Sequence, residues 1–277
     1  MKIQLDLSNG LTVQSGGING GYVVWSLYGE SPHQRIELSN SIPTFKIREM
    51  GETNYAGYIK LPSLMAGTEF NFKITLTFSN TTLKFPLMNF NFNAYPKSLI
   101  FQYCRTAKYW EINDPELIEI AENLVHEAGD DVPTYLHGAF QFVREHIKFR
   151  ENLDQRLGAR LALKDGKGDC DEFSDLFITL CRISHIPARR VMGVLLTDAQ
   201  NHSLHAWSEV YIPPYEQWIP FDVALSEFSS IKWNYLVRVH TGLSSEVPLL
   251  RLKSKADKNF KAKFAENDVA QISLLTS

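Results

Sequence analysis

A chain of 277 residues with 44% apolar content can bury one large core or two moderate ones. Its 28 Lys and Arg against 31 Asp and Glu, with no long like-charge block before the tail, leave no sign of a nucleic-acid partner or a membrane-surface footprint. No stretch reaches about eighteen consecutive apolar residues, and residues 1–7 alternate like a strand where a secretory signal would be continuously apolar, so a cytoplasmic location is expected.

The first hundred residues alternate polar and apolar side chains, as in 22–28 and 70–78, and are punctuated by turn residues at 16–21, 31–32, 66–67 and 79–80. Short, regularly spaced strands of this kind predict an antiparallel β-sandwich, placed at residues 1–110. The phenylalanines and tyrosine at 85, 90, 92 and 95 read as sandwich core or domain interface. Residues 111–277 form the second expected domain. There the period changes to helical: Asp114 and Pro115 make an N-cap and first position, and Leu117, Ala121 and Leu124 recur on one face before Gly129. A second helix follows Pro133, and a third runs from Cys170 with Phe173, Leu176, Phe177 and Leu180 as its buried stripe. The intervening 150–168 lacks strong periodicity and reads as a loop bordering the site. After Pro187, strand patterns appear at 188–195, 205–212, 218–221 and 235–239, with a further strand plausible at 270–275. Helices followed by antiparallel strands make the fold class α+β.

Cys170 lies where the glycine-rich 164–168 gives way to a helix, so its sulfur is expected at a helix N-terminus, where exposed amides and the dipole favour a thiolate. Cys104 and Cys181 read as core thiols, and the odd, widely spaced set of three excludes a disulfide framework or zinc knuckle. A thiol nucleophile needs a base, and the base needs an orienting carboxylate. His205 opens a strand and shares a face with Trp207, whereas His185 follows the Cys170 helix and His202 falls in a turn. Asp222 closes the strand at 218–221, from where a carboxylate can reach a neighbouring imidazole. Asp171 and Glu172 read as solvated first-turn acids, with backbone amides or Arg189 and Arg190 as other partners. No calcium-loop pattern occurs, and no metal or cofactor is expected.

The segment Gly168-Asp169-Cys170-Asp171-Glu172-Phe173, then Cys181-Arg182, Ile186-Pro187-Ala188-Arg189, His205-Ala206-Trp207 and Asp222 together resemble the transglutaminase-like superfamily of cysteine enzymes, over about 114–222. The resemblance implies a papain-like core with Cys170 as nucleophile, His205 as base and Asp222 as orienting group, often behind an N-terminal β domain. It implies acyl transfer through a thioester on a peptide or protein substrate. Proteolysis or amide hydrolysis is the preferred reading, with transamidation or a non-catalytic scaffold as alternatives. The Cys170 backbone N–H is the natural oxyanion donor, and Gln155 is a candidate for a second by residue type alone.

Overall fold

The computed structural model describes residues 1–151, 155–198, 201–244, 246–265 and 269–275. The chain begins with six long strands, β1 (Lys2–Ser15), β2 (Gly17–Leu27), β3 (Gln34–Ile42), β4 (Phe45–Met50), β5 (Asn54–Met65) and β6 (Glu69–Asn80). A connecting stretch holds β7 (Leu83–Lys84) and α1 (Lys97–Tyr103). The helical layer follows as α2 (Pro115–Ala128), α3 (Val132–His146), β8 (Lys148–Phe149), α4 (Ala159–Asp165), β9 (Lys167–Gly168) and α5 (Cys170–Ile183). The second half is β10 (Ala188–Leu196), β11 (His202–Ile212), β12 (Gln217–Phe221), β13 (Ser230–Ile231), β14 (Tyr235–Thr241), β15 (Leu250–Ala256), β16 (Lys261–Phe264) and β17 (Val269–Leu275). The fold is α+β, an antiparallel sandwich joined to helices packed on an antiparallel sheet.

The helices start and stop where their end chemistry dictates. Asp114 accepts from the amides of Glu116 and Leu117 at the head of α2, and Gly129, with φ of 64°, ends it. Asp131 caps α3 through the Thr134 amide. Their apolar faces meet α5, whose Leu176, Phe177 and Leu180 are fully buried. The other face of that core is the sheet β12–β11–β10–β14, where Ser208 Oγ reaches the Ser174 carbonyl at 3.5 Å.

The sandwich is built from both ends of the chain. One sheet orders β16–β1–β6–β3, with β17 also pairing β1, and the other orders β15–β2–β5–β4. Alternation along β1 buries Ile3, Leu5 and Leu7 between the sheets, and Trp25 meets Phe72 edge-on at 5.0 Å. The expected boundary at residue 110 therefore differs from the packing on both sides. Residues 250–275 return to pair with β1 and β2, because those strands need neighbours to complete their sheets. Tyr95 lies in the helical core, with Phe85, Phe90 and Phe92 packed against it, and Phe92 stacks edge-on with Tyr135. Those rings belong to the helical half. The segment before Cys170 also differs from the expected loop: α4 forms there, and its buried Ala159 and Ala162 pack closely while carrying too little apolar area to stand out in sequence. Residues 152–154 of that segment, and 199 and 200 of the turn before His202, lie outside the described residues.

The two halves meet along β14, whose second edge has no strand paired to it among the described residues. Sandwich side chains take the missing strand's place. The Gln34 amide donates to the Val237 carbonyl at 2.9 Å and accepts from the Val237 N–H at 3.0 Å. Asn54 does the same for His240, at 2.8 and 2.7 Å. The Tyr235 carbonyl accepts from Asn80 at 3.0 Å and meets His33 Nε2 at 3.0 Å. Leaving such buried backbone groups unpaired costs about 1–3 kcal/mol each. Gln34→Ala should lower unfolding stability in urea by about 2–4 kcal/mol and strip hydrogen-exchange protection from the Val237 amide. Unchanged protection there would show that the edge does not depend on this side chain.

Candidate active site

Cys170 is the first residue of α5, partly exposed, with the capping groups arranged around it. Asp169 accepts from the Asp171 amide at 2.9 Å and closes a capping box with Glu172, whose carboxylate accepts from the Asp169 amide at 3.0 Å. The Phe173 amide bonds to the Asp169 carbonyl. Among the described residues the Cys170 N–H alone in this first turn has no such partner. Gly168 is required here, since a Cβ at that position would stand 2.2 Å from Glu172 Cβ.

The acids of the first turn are not the solvated groups expected from sequence. Glu172 is fully buried and also accepts from the Leu157 amide at 2.7 Å, fastening the preceding segment to the helix. Burial drives its carboxyl up to about 7 despite those two amides. Asp171 pairs with Arg190 on β10, one of the partners the sequence offered. One turn further, buried Asp175 accepts from Arg156 Nε at 2.7 Å and from Trp110 Nε1 at 2.8 Å. Sequence spacing gave no signal for Arg156 or Asp175. Gln155 is exposed.

His205 Nε2 lies 2.6 Å from Asp222 Oδ2, and the Cys170 sulfur is near enough to the same ring to favour its charged form. The three residues singled out in the sequence are thus brought together. Asp222 is held on both oxygens: Oδ1 accepts from the Leu225 amide at 3.1 Å, and Oδ2 also accepts from the Tyr235 hydroxyl at 2.7 Å. Tyr235 was not legible as a site residue; a tyrosine in a strand pattern needs some partner when buried, but nothing in sequence names it. Trp207 stacks against His205 with ring centroids 6.1 Å apart and is fully buried, closing one side of the imidazole to water. Gly193 stands opposite His205, and a Cβ there would fall 2.0 Å from the Leu236 carbonyl oxygen and 3.0 Å from the Trp207 ring. His185 and His202 are both exposed, the latter as the first residue of β11 rather than within a turn.

Burial opposes charge on His205, but the Asp222 carboxylate and the Cys170 sulfur outweigh it and raise the ring to about 10. Elsewhere burial pushes the Cys104 thiol up to about 12 and holds Cys181 well above the ordinary range. Both are inert at neutral pH.

Residues 118–223 match the sequence pattern of the transglutaminase-like superfamily. That stretch is a transglutaminase-like domain. A solved structure from Cytophaga hutchinsonii, provisionally described as a cysteine protease, has 16% identity and a TM-score of 0.65, covering 99% of this chain and 97% of that one. That likeness extends the shared fold across the sandwich as well as the core. The periplasmic domain of TgpA from Pseudomonas aeruginosa is more distant, at 12% identity and a TM-score of 0.43, covering 79% of this chain and 90% of that one. YebA of Bacillus subtilis (strain 168) is 28% identical over 97 residues, which span 30% of this chain and 13% of YebA. The transglutaminase-like core supports a cysteine-based enzyme at the level of the superfamily.

Because the folded pKa of His205 exceeds its ordinary 6.5, the imidazolium contributes fully to stability below that pH and loses its contribution as pH rises through about 10. The ring resonances of His205 in NMR should therefore titrate near 10. In Asp222→Asn, where burial loses its main opponent, they should move back toward 6.5. An unshifted titration in that variant would remove Asp222 as the ring's electrostatic partner.

Proposed function

We propose that the chain is a cysteine amide hydrolase or protease working through Cys170, His205 and Asp222. The observation that carries this reading is a single imidazole contacting the helix-terminal sulfur on one side and a doubly anchored carboxylate on the other. The Cys170 sulfur, having given its proton to His205, attacks a carboxamide or peptide carbonyl, and a carbon–sulfur bond forms. The oxyanion of the tetrahedral intermediate takes the Cys170 N–H as donor, the amide left unpaired by the capping box. Collapse breaks the carbon–nitrogen bond, and imidazolium His205 gives its proton to the departing amine. Water, deprotonated by His205, then attacks the thioester and regenerates the thiol with release of a carboxylic acid. Asp222 keeps the Nε2–H pointing away from the sulfur and supports the imidazolium. Tyr235 and Leu225 hold Asp222 in that pose.

A primary amine replacing water in the last step gives transamidation from the same thioester. Hydrolysis is the reading stated here, with a peptide or protein as substrate.

Iodoacetamide at neutral pH should label Cys170 alone, since Cys104 and Cys181 are held as thiols, and peptide mass analysis reads the site directly. Peptide mixtures incubated with the protein should gain the mass of water at cleaved amides, and an added primary amine should leave the products unchanged. Cys170→Ala should abolish turnover, and Asp222→Asn should slow it by about 10³–10⁴-fold while leaving the fold intact. Amine-substituted products would replace hydrolysis with transamidation. A Cys170→Ala variant with full activity would end the enzyme reading.

A further inference from the structure

The outer face of the sheet β15–β2–β5–β4 gathers cations that are scattered in the sequence. Register puts Lys253, Tyr22 and Lys60 in one row across the strands, and Arg251, Val24, Tyr58 and Lys46 in the next. Arg48 stands opposite Ala56 in the row after that. Ile59 and Leu61 of β5, and Leu250 and Leu252 of β15, point to the sandwich core, which fixes these alternate positions as the outward ones. Lys46, Arg48, Lys60 and Lys253 are exposed, and the half-buried Arg251 has its Nε without a hydrogen-bond partner. None of the five is ion-paired among the described residues, and no carboxylate occupies this face in these rows. A chain of net charge −3 thus carries a face of one sign.

We infer that this sheet face is a docking surface for an anionic lipid bilayer. Charge complementarity supplies the attraction, and the geometry selects the partner. Strands about 4.8 Å apart and steps of about 6.7 Å along them spread the five cations in two dimensions, which suits a plane of headgroups better than one extended polymer. Arg48 lies over the Tyr58 ring at 4.9 Å and Lys253 over it at 5.8 Å, so the ring is engaged by cations and is no platform for stacking nucleobases. Tyr22, 45% exposed and edge-on to Tyr58 at 6.4 Å, places an amphipathic ring at the level where headgroups meet water. Among the described residues no helix is long and apolar enough to cross a membrane. The early exclusion of a membrane-surface footprint rested on the absence of a charge block, and strand pairing assembles the patch without one.

The full chain should sediment with phosphatidylcholine vesicles containing about 30% phosphatidylglycerol and not with phosphatidylcholine alone, and about 500 mM salt should release it. Each cation near the surface is worth about fivefold in affinity, so Lys46→Gln, Arg48→Gln and Lys253→Gln combined should weaken binding about 100-fold, and Lys60→Gln alone about fivefold. These residues lie outside the cysteine site, so thermal unfolding and the rate of Cys170 alkylation should stay at wild-type values in each variant. Equal binding to neutral vesicles, or retained binding by the triple variant, overturns the inference. So does capture by an oligonucleotide or poly-glutamate through these residues when vesicles are not bound.

Discussion

The unpaired edge of β14 is the constraint from which the rest of the architecture follows. A strand at the border of the sheet β12–β11–β10–β14 exposes N–H and C=O groups that must be bonded once a second layer covers them. Here the amides of Gln34 and Asn54 imitate the peptide groups of an absent neighbour, each satisfying both polar groups of one β14 residue. The sandwich is consequently part of the helical half's hydrogen-bond network, and apolar contact between Val194, Leu196 and Leu236 and the sandwich core reinforces the joint.

That joint reaches the chemistry through one residue. The Tyr235 carbonyl is held by Asn80 and His33 of the sandwich, while its hydroxyl binds the same Asp222 oxygen that faces His205. Rotating an imidazole whose carboxylate is anchored by a tyrosine and the Leu225 amide means breaking several bonds in a dry setting, where each is stronger than in water. On the opposite side of the site, Glu172 and Asp175 fasten the segment before Cys170 to α5 through amides and Arg156. Cys170 and His205 are therefore both set by hydrogen-bonded elements, α5 on one side and the sheet on the other.

The superfamily fold explains why cysteine, histidine and aspartate meet, and the chain's own buried charges explain how they are held. Arg189 and Glu209 form a buried pair at 2.7 Å further along the same sheet, stacked on Trp218. Burial alone would raise the Glu209 carboxyl, but Arg189 and His240 bring it down to about 2. Such a pair is costly to break and fixes the register of β10 against β11, which in turn fixes where His205 stands opposite Gly193.

Local chemistry was enough for much of this protein. Asp114 announces a helix start because a short acceptor before an apolar periodic run satisfies amides only a few residues away, and Asp131 and Asp169 prove to do the same for α3 and α5. Alternation marked the strands, and the blocks around Cys170, His205 and Asp222 carried enough residue-type agreement to single out the same three side chains that the fold brings together. What depended on distant pairing was hidden. The return of residues 250–275 to β1 and β2, the alliance of Phe85, Phe90, Phe92 and Tyr95 with the helices, and the pairing of buried Glu172 and Asp175 with Leu157, Arg156 and Trp110 all depend on partners tens to hundreds of residues away. The grip of Tyr235 on Asp222, though only thirteen residues span it, was equally unreadable, since it needs two strands laid side by side. A sequence states the preferences of each residue within its own turn or strand; which surfaces are left to satisfy one another is settled only when the layers pack.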